Sequence, residues 1–175
     1  WSSDVCSSDL CRFCDTDFIG TDGPGGGRFA DAAALADHLA QTWGERGGRR
    51  LVVFTGGEPL LQLDDALVDA CHARSFDIAV ETNGTRPAPA GIDWLCVSPK
   101  AGTELVVRGG AELKVVYPQP GIDLRSLESL AFTHRFVQPM DGPDRVANTE
   151  ACVAFCLAHP AWRLSLQTHK LLGIP

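Results

Sequence analysis

The stretch LVVFTGGEP, residues 51–59, is a short β-branched apolar run closed by two glycines, an acid and a proline. Apolar runs of about 4–8 residues bounded by turn residues read as buried strands. The segment therefore predicts a buried strand with a tight turn at its carboxyl end. Upstream, residues 28–46 mix Ala and Leu with Asp and His at helical spacing; Asp31 is placed to cap that helix, and Gly44, Gly47 and Gly48 to end it. Downstream, LDDALVDACHAR (63–74) predicts a second amphipathic helix opened by Asp64 or Asp65.

The alternation continues to the end of the chain. FDIAVETNGT (76–85) reads as a strand ending in an Asn-Gly turn, WLCVSPK (94–100) as another ending in Ser-Pro, and ELKVVYPQP (112–120) as a third stopped by prolines. Residues 123–130 read as a short helix, HRFVQPMDGP (134–143) as a strand, 145–158 as a helix and WRLSLQTHK (162–170) as the last strand. Short apolar strands interleaved with helices predict an α/β fold, a mostly parallel sheet built from βα units. The polar clusters Gly-Gly-Glu-Pro, Glu-Thr-Asn-Gly, Ser-Pro-Lys, Gln-Pro-Met-Asp and Gln-Thr-His-Lys each fall just after a strand. Active sites of α/β folds are built at those carboxyl ends.

The bulk numbers narrow the class. The chain's 175 residues suffice for one domain with its own core, and 45% hydrophobic with 21% charged residues is globular composition. A formal charge of −7 repels a phosphate backbone, so nucleic acid is not an expected partner. No apolar run approaches the ~20 residues that span a bilayer, so no membrane insertion is expected. Seven cysteines cannot all pair within one chain. Cys71, Cys96, Cys152 and Cys156 sit in apolar contexts and read as small buried hydrophobes, which points to a reducing cytoplasm.

Cys11-Arg12-Phe13-Cys14 is a C-x2-C pair whose thiolates can hold one metal or one cluster iron. By itself it leaves a zinc half-site, a redox pair and a cluster loop open. Thr55-Gly56-Gly57-Glu58-Pro59 adds glycines that let a ligand approach the main chain, and a carboxylate that can meet an ammonium group.

In that order the two motifs resemble the radical S-adenosylmethionine (SAM) superfamily. Cys14-Asp15-Thr16-Asp17-Phe18, Glu81-Thr82-Asn83-Gly84, Ser98-Pro99-Lys100, Gln138-Pro139-Met140-Asp141 and the terminal Gln-Thr-His-Lys stretch look, within it, like the 7-carboxy-7-deazaguanine synthase family. The resemblance runs from Cys11 to Pro175. It implies a partial, open (βα) barrel, a homodimer, a [4Fe–4S] cluster on three cysteines with one iron open to SAM, and Mg²⁺. By that likeness Cys11 and Cys14 are cluster ligands and Thr16 ligates Mg²⁺ through its hydroxyl. Gly57, Glu58, Ser98, Pro99, Lys100, Gln138, Pro139, Met140 and Asp141 form the SAM site, while Thr55, His169 and Pro175 contact substrate. The sequence pattern predicts no helix between the last strand-end cluster and Pro175.

The activity implied is conversion of 6-carboxy-5,6,7,8-tetrahydropterin to 7-carboxy-7-deazaguanine, a step toward queuosine, fed by an electron donor such as flavodoxin or ferredoxin. A glycyl-radical activase would share the cluster loop and the Gly-Gly-Glu-Pro turn but would not need the terminal segment. A non-catalytic zinc- or thiol-binding domain is the rival from outside enzymology. The chain departs from the pattern at its start. The superfamily spacing C-x3-C-x2-C calls for Cys at position 7, where Ser7 stands; Cys6 is one residue out of step and is not assigned as a ligand. The family's Gln-Gly-Glu segment is absent. WSSDVCSSDL (1–10), with SSD twice, reads as a foreign or damaged end before a core domain spanning 11–175. The chain as written is expected to hold a cluster poorly.

Overall fold

The computed structural model describes residues 26–174. Asp31 accepts from the Ala34 N–H at 2.8 Å and so caps α1 (Ala32–Trp43). Gly44 ends this helix at φ +64°, where its N–H reaches the Ala40 carbonyl. After β1 (Arg50–Phe54), Asp64 caps α2 (Asp65–His72), accepting from Leu67 N–H at 2.9 Å. Then follow β2 (Phe76–Thr82), β3 (Trp94–Val97), β4 (Gly109–Tyr117), β5 (Ala131–Pro139), α3 (Arg145–Ala158), β6 (Arg163–Leu164) and α4 (Thr168–Leu172).

The strands form one sheet in the order β1-β2-β3-β4-β5-β6, every neighbouring pair parallel. Each new strand lies beside its predecessor, and among the described residues β1 and β6 have one neighbour each, so the described sheet is an arc rather than a closed barrel. That is the partial, open βα barrel the sequence implied. One face is apolar and carries the helices. Leu67, Val68, Ile78 and Val80 pack there with α1 and α2; Leu113, Val115 and Val137 pack with Cys152 of α3 and with Trp162. Ile78 and Val80 are wholly buried, each contributing roughly 1.5–3 kcal/mol relative to exposure.

The short helix expected over 123–130 is a 3₁₀ helix, Ser126–Ser129. Two readings need correction. Cys156 is only half-buried, because it lies one turn beyond Cys152 toward the helix's rim. The terminal strand is two residues long and a helix does follow it. Ser165 still donates its N–H to Val137 at 2.9 Å, after which the backbone leaves the sheet edge and coils into α4, ended by Gly173 at φ +66°. An edge strand has one neighbour only, so little holds residues 165–167 extended.

Candidate functional site

Because all six strands run the same way, their carboxyl ends share one rim. Thr55–Pro59 follow β1, Asn83 and Gly84 follow β2, Ser98–Lys100 follow β3, and Gln138–Asp141 close β5. The polar clusters singled out in the described part of the sequence are thus brought to one edge of one sheet.

At the first tip, Thr55 and Gly56 are exposed. Gly56 has φ +103°, and an added Cβ would meet nothing within 4 Å, so main chain lies open to a ligand there. Glu58 is turned inward instead, with 5% of its surface exposed. Its Oε1 accepts from Leu60 N–H at 3.0 Å and from the Thr82 hydroxyl at 2.6 Å, and its Oε2 accepts from Asn83 N–H at 2.8 Å. Thr82 Oγ1 in turn accepts from Gly84 N–H at 2.9 Å. One carboxylate thereby ties the β1 turn to the β2 turn. With two oxygens offering about four acceptor positions, three filled, room remains for one further donor. The sequence reading gave Glu58 a single role toward an ammonium group; its geometry adds a second, as the knot between two strand tips.

Gly84 itself must be glycine. Its φ is +77°, and a Cβ would stand 2.7 Å from both Leu105 and Val97 side chains. Glu-Thr-Asn-Gly is therefore a structural motif: a buried acceptor chain and a turn pressed against the core.

The third tip is fastened from both sides. Ser98 donates its N–H to Thr82 at 2.7 Å, and Lys100 Nζ donates to Ser98 Oγ at 2.8 Å. Gln119, beyond β4 and 7% exposed, accepts from Ala101 N–H at 2.8 Å and donates toward the Pro99 carbonyl at 3.5 Å. Gln119 was missed by sequence reasoning. Its only signal was a polar residue held between Pro118 and Pro120. At the fifth tip, Met140 donates its N–H to Tyr117 at 2.7 Å and its carbonyl accepts from Asn148 at 2.9 Å. Lys170 Nζ sits 2.7 Å from Asp141 Oδ2 and holds that carboxyl below the usual carboxylate range. His169, in the first turn of α4, is exposed.

The sheet face opposite the helices is polar. Parallel register aligns Glu81 with Cys96, Cys96 with Glu112, and Glu112 with His134. Lys114 Nζ meets Glu81 at 3.0 Å, Trp94 Nε1 donates to Glu112 at 3.2 Å, and the Trp94 and His134 rings stack at 5.6 Å. Leu51 and Val53, on the same face of β1, are about half exposed. Parallel sheets covered on both faces read as continuous apolar runs. The alternation in FDIAVET and ELKVV was the signal that one face is not packed into the apolar core.

Cys6, Cys11, Cys14, Thr16 and Pro175 lie outside the described residues, as does the segment 1–10. Among the described residues no three Cys, His, Asp or Glu side chains converge as metal ligands. Burial pushes the thiols of Cys71, Cys96 and Cys156 up, and that of Cys152 up to about 12. Among the described residues these four cysteines are not gathered into a group that could hold a metal ion. The rim does fit an amino-acid-bearing cofactor. It offers open main chain at Gly56, a carboxylate with one acceptor position to spare, and polar tips on either side. No helix among the described residues is long and apolar enough to cross a membrane.

Comparison with known proteins agrees with this architecture. The family model of the radical SAM superfamily matches residues 2–115. The 7-carboxy-7-deazaguanine synthase of Bordetella pertussis is 62% identical over 165 residues, covering 94% of this chain and 79% of its own length. That of Caulobacter vibrioides is 58% identical over 166 residues, covering 95% of this chain and 79% of its own. Among solved structures, QueE from Escherichia coli superposes with a TM-score of 0.58 at 25% identity, over 79% of this chain and 64% of that one.

Proposed function

The chain belongs to the 7-carboxy-7-deazaguanine synthase family of the radical SAM superfamily, and from that membership we propose that it converts 6-carboxy-5,6,7,8-tetrahydropterin to 7-carboxy-7-deazaguanine. Loss of one ammonia balances the two formulae, so the conversion needs no net oxidant. The observation that carries the reading is the shared rim: four strand tips with the family's polar motifs line one edge of an open parallel sheet.

When bound, the [4Fe–4S] cluster and SAM supply a one-electron cleavage that starts the chemistry. The protein's residues do the rest by placement. Cys11 and Cys14 hold the cluster. Gly57 and Glu58 receive the methionine end of SAM, where the knot through Thr82 and Asn83 keeps the Glu58 carboxylate from turning with the ligand. Ser98, Pro99 and Lys100, braced by Gln119, flank the cofactor on one side; Gln138, Pro139, Met140 and Asp141 flank it on the other. Thr55, His169 and Pro175 contact the pterin. Thr16 gives Mg²⁺ a hard oxygen ligand, and the cation offsets the substrate carboxylate in an acidic protein. Residues 11–175 form the catalytic domain, which works as a homodimer in the reducing cytoplasm with a flavodoxin or ferredoxin as electron donor.

The test is anaerobic reconstitution of the full-length protein followed by turnover with SAM, reductant, Mg²⁺ and the tetrahydropterin. The expected products are 7-carboxy-7-deazaguanine and ammonia in equal amounts. Cleavage of SAM with the pterin left unconsumed would refute the substrate assignment.

A further inference from the structure

The α4 segment has no buried residue, and Leu171, Leu172 and Ile174 are each more than half exposed. A segment without buried side chains sits at the low end of local stability, so its position depends on polar contacts. Two of those contacts reach the same four-residue strand tip. The Ser165 hydroxyl donates to Gln138 Oε1 at 3.4 Å, and Lys170 Nζ meets Asp141 Oδ2 at 2.7 Å. Lys170 lies next to His169 in sequence, and the segment leads on to Pro175.

We propose that Lys170 is a positioning residue that latches the terminal helix to the Gln138–Asp141 tip, so that cofactor bound at that tip and pterin held by the terminal segment favour one another. The proposal rests on the reading above for what each side binds. The physical link itself does not. Lys170 shares a turn with His169, is assigned no ligand of its own, and acts through Asp141. If the tip is steadied by SAM, the segment docked on it is steadied too, and thermodynamic linkage makes that effect reciprocal.

The experiment uses the full-length protein in cluster-loaded form, as wild type, Lys170→Met and Lys170→Arg. Amide hydrogen exchange over residues 168–173 is followed with and without SAM. Wild type should exchange more slowly with SAM. Lys170→Met should exchange about fivefold faster without it, the size expected for one partly exposed ion pair, and should lose the SAM effect. Lys170→Arg, which keeps the charge, should restore most of both. In turnover, Lys170→Met should raise the pterin KM about fivefold with kcat within about twofold of wild type. Equal SAM protection in wild type and Lys170→Met overturns the proposal, as does an absence of SAM protection in wild type. A wild type that shows SAM-dependent protection lost in Lys170→Met, but converts no pterin, upholds the latch and refutes the substrate assignment alone.

Discussion

The role of Glu58 as a knot can be tested by changing one atom. In Glu58→Gln the side chain keeps its shape, but one carboxylate oxygen becomes an NH₂ donor. With the remaining oxygen left facing Leu60 N–H and the Thr82 hydroxyl, the new amide opposes Asn83 N–H, donor against donor. Flipped, it opposes Leu60 N–H instead, while the Thr82 hydroxyl can turn to accept, so in either arrangement one backbone N–H is orphaned. The hydrogen bond lost is charge-assisted, and an unsatisfied donor in a protected site costs about 1–3 kcal/mol. For a domain of this size each kcal/mol moves Tm by roughly 2–4 °C, so the melting temperature should fall by about 2–12 °C. Thermal unfolding of the cofactor-free chain by circular dichroism measures this without any ligand. Amide exchange at Leu60, Asn83 and Gly84 should accelerate with it, since the three N–H groups belong to one chain of acceptors. Glu58→Ala, which deletes all three bonds, should fall further than Gln. If Glu58→Gln melts within about 1 °C of wild type yet no longer binds SAM, the carboxylate serves only as a ligand group and the knot is refuted.

Gly84→Ala combines positive φ with a Cβ driven into Leu105 and Val97, and should cost about 2–4 kcal/mol in a denaturant titration, with the slope unchanged. Gln119→Leu leaves Ala101 N–H without its acceptor and frees the Ser98–Lys100 tip; it should lose about 1–3 kcal/mol of stability and raise the KM for SAM more than that for the pterin. Asp93 accepts from Ile78 N–H at 2.8 Å and pairs with His72 at 3.1 Å, and these contacts hold its carboxyl below its ordinary value of 3.8. A depressed carboxylate adds stability that is present above that ordinary value and is lost as pH falls through the folded one. Between about pH 5 and 2.5 the Tm of wild type should therefore drop more steeply than that of Asp93→Asn; parallel curves would remove Asp93 from the acid limb.

The fold and much of the rim were legible in the sequence because both rest on local signals. Asp31 and Asp64 announce their helices, since a carboxylate before an amphipathic run has free N–H groups to accept from. Strand order follows from brief connections between successive parallel strands. The third helix, Arg145–Ala158, coincides with its sequence prediction. The terminal segment was misread because alternation of apolar residues in WRLSLQTHK matches a strand, whereas only one neighbour was there to hold it.

Composition, periodicity and the strand-end motifs determine by themselves that this is an α/β chain with its chemistry at the carboxyl ends of parallel strands, for these depend on residues close together in the sequence. What Glu58, Gln119 and Lys170 do was decided only in three dimensions. Glu58 meets Thr82 across 24 positions, Gln119 meets Ala101 across 18, and Lys170 meets Asp141 across 29. A polar side chain's role depends on which donors face it once neighbouring strands are in register, and no local pattern encodes that.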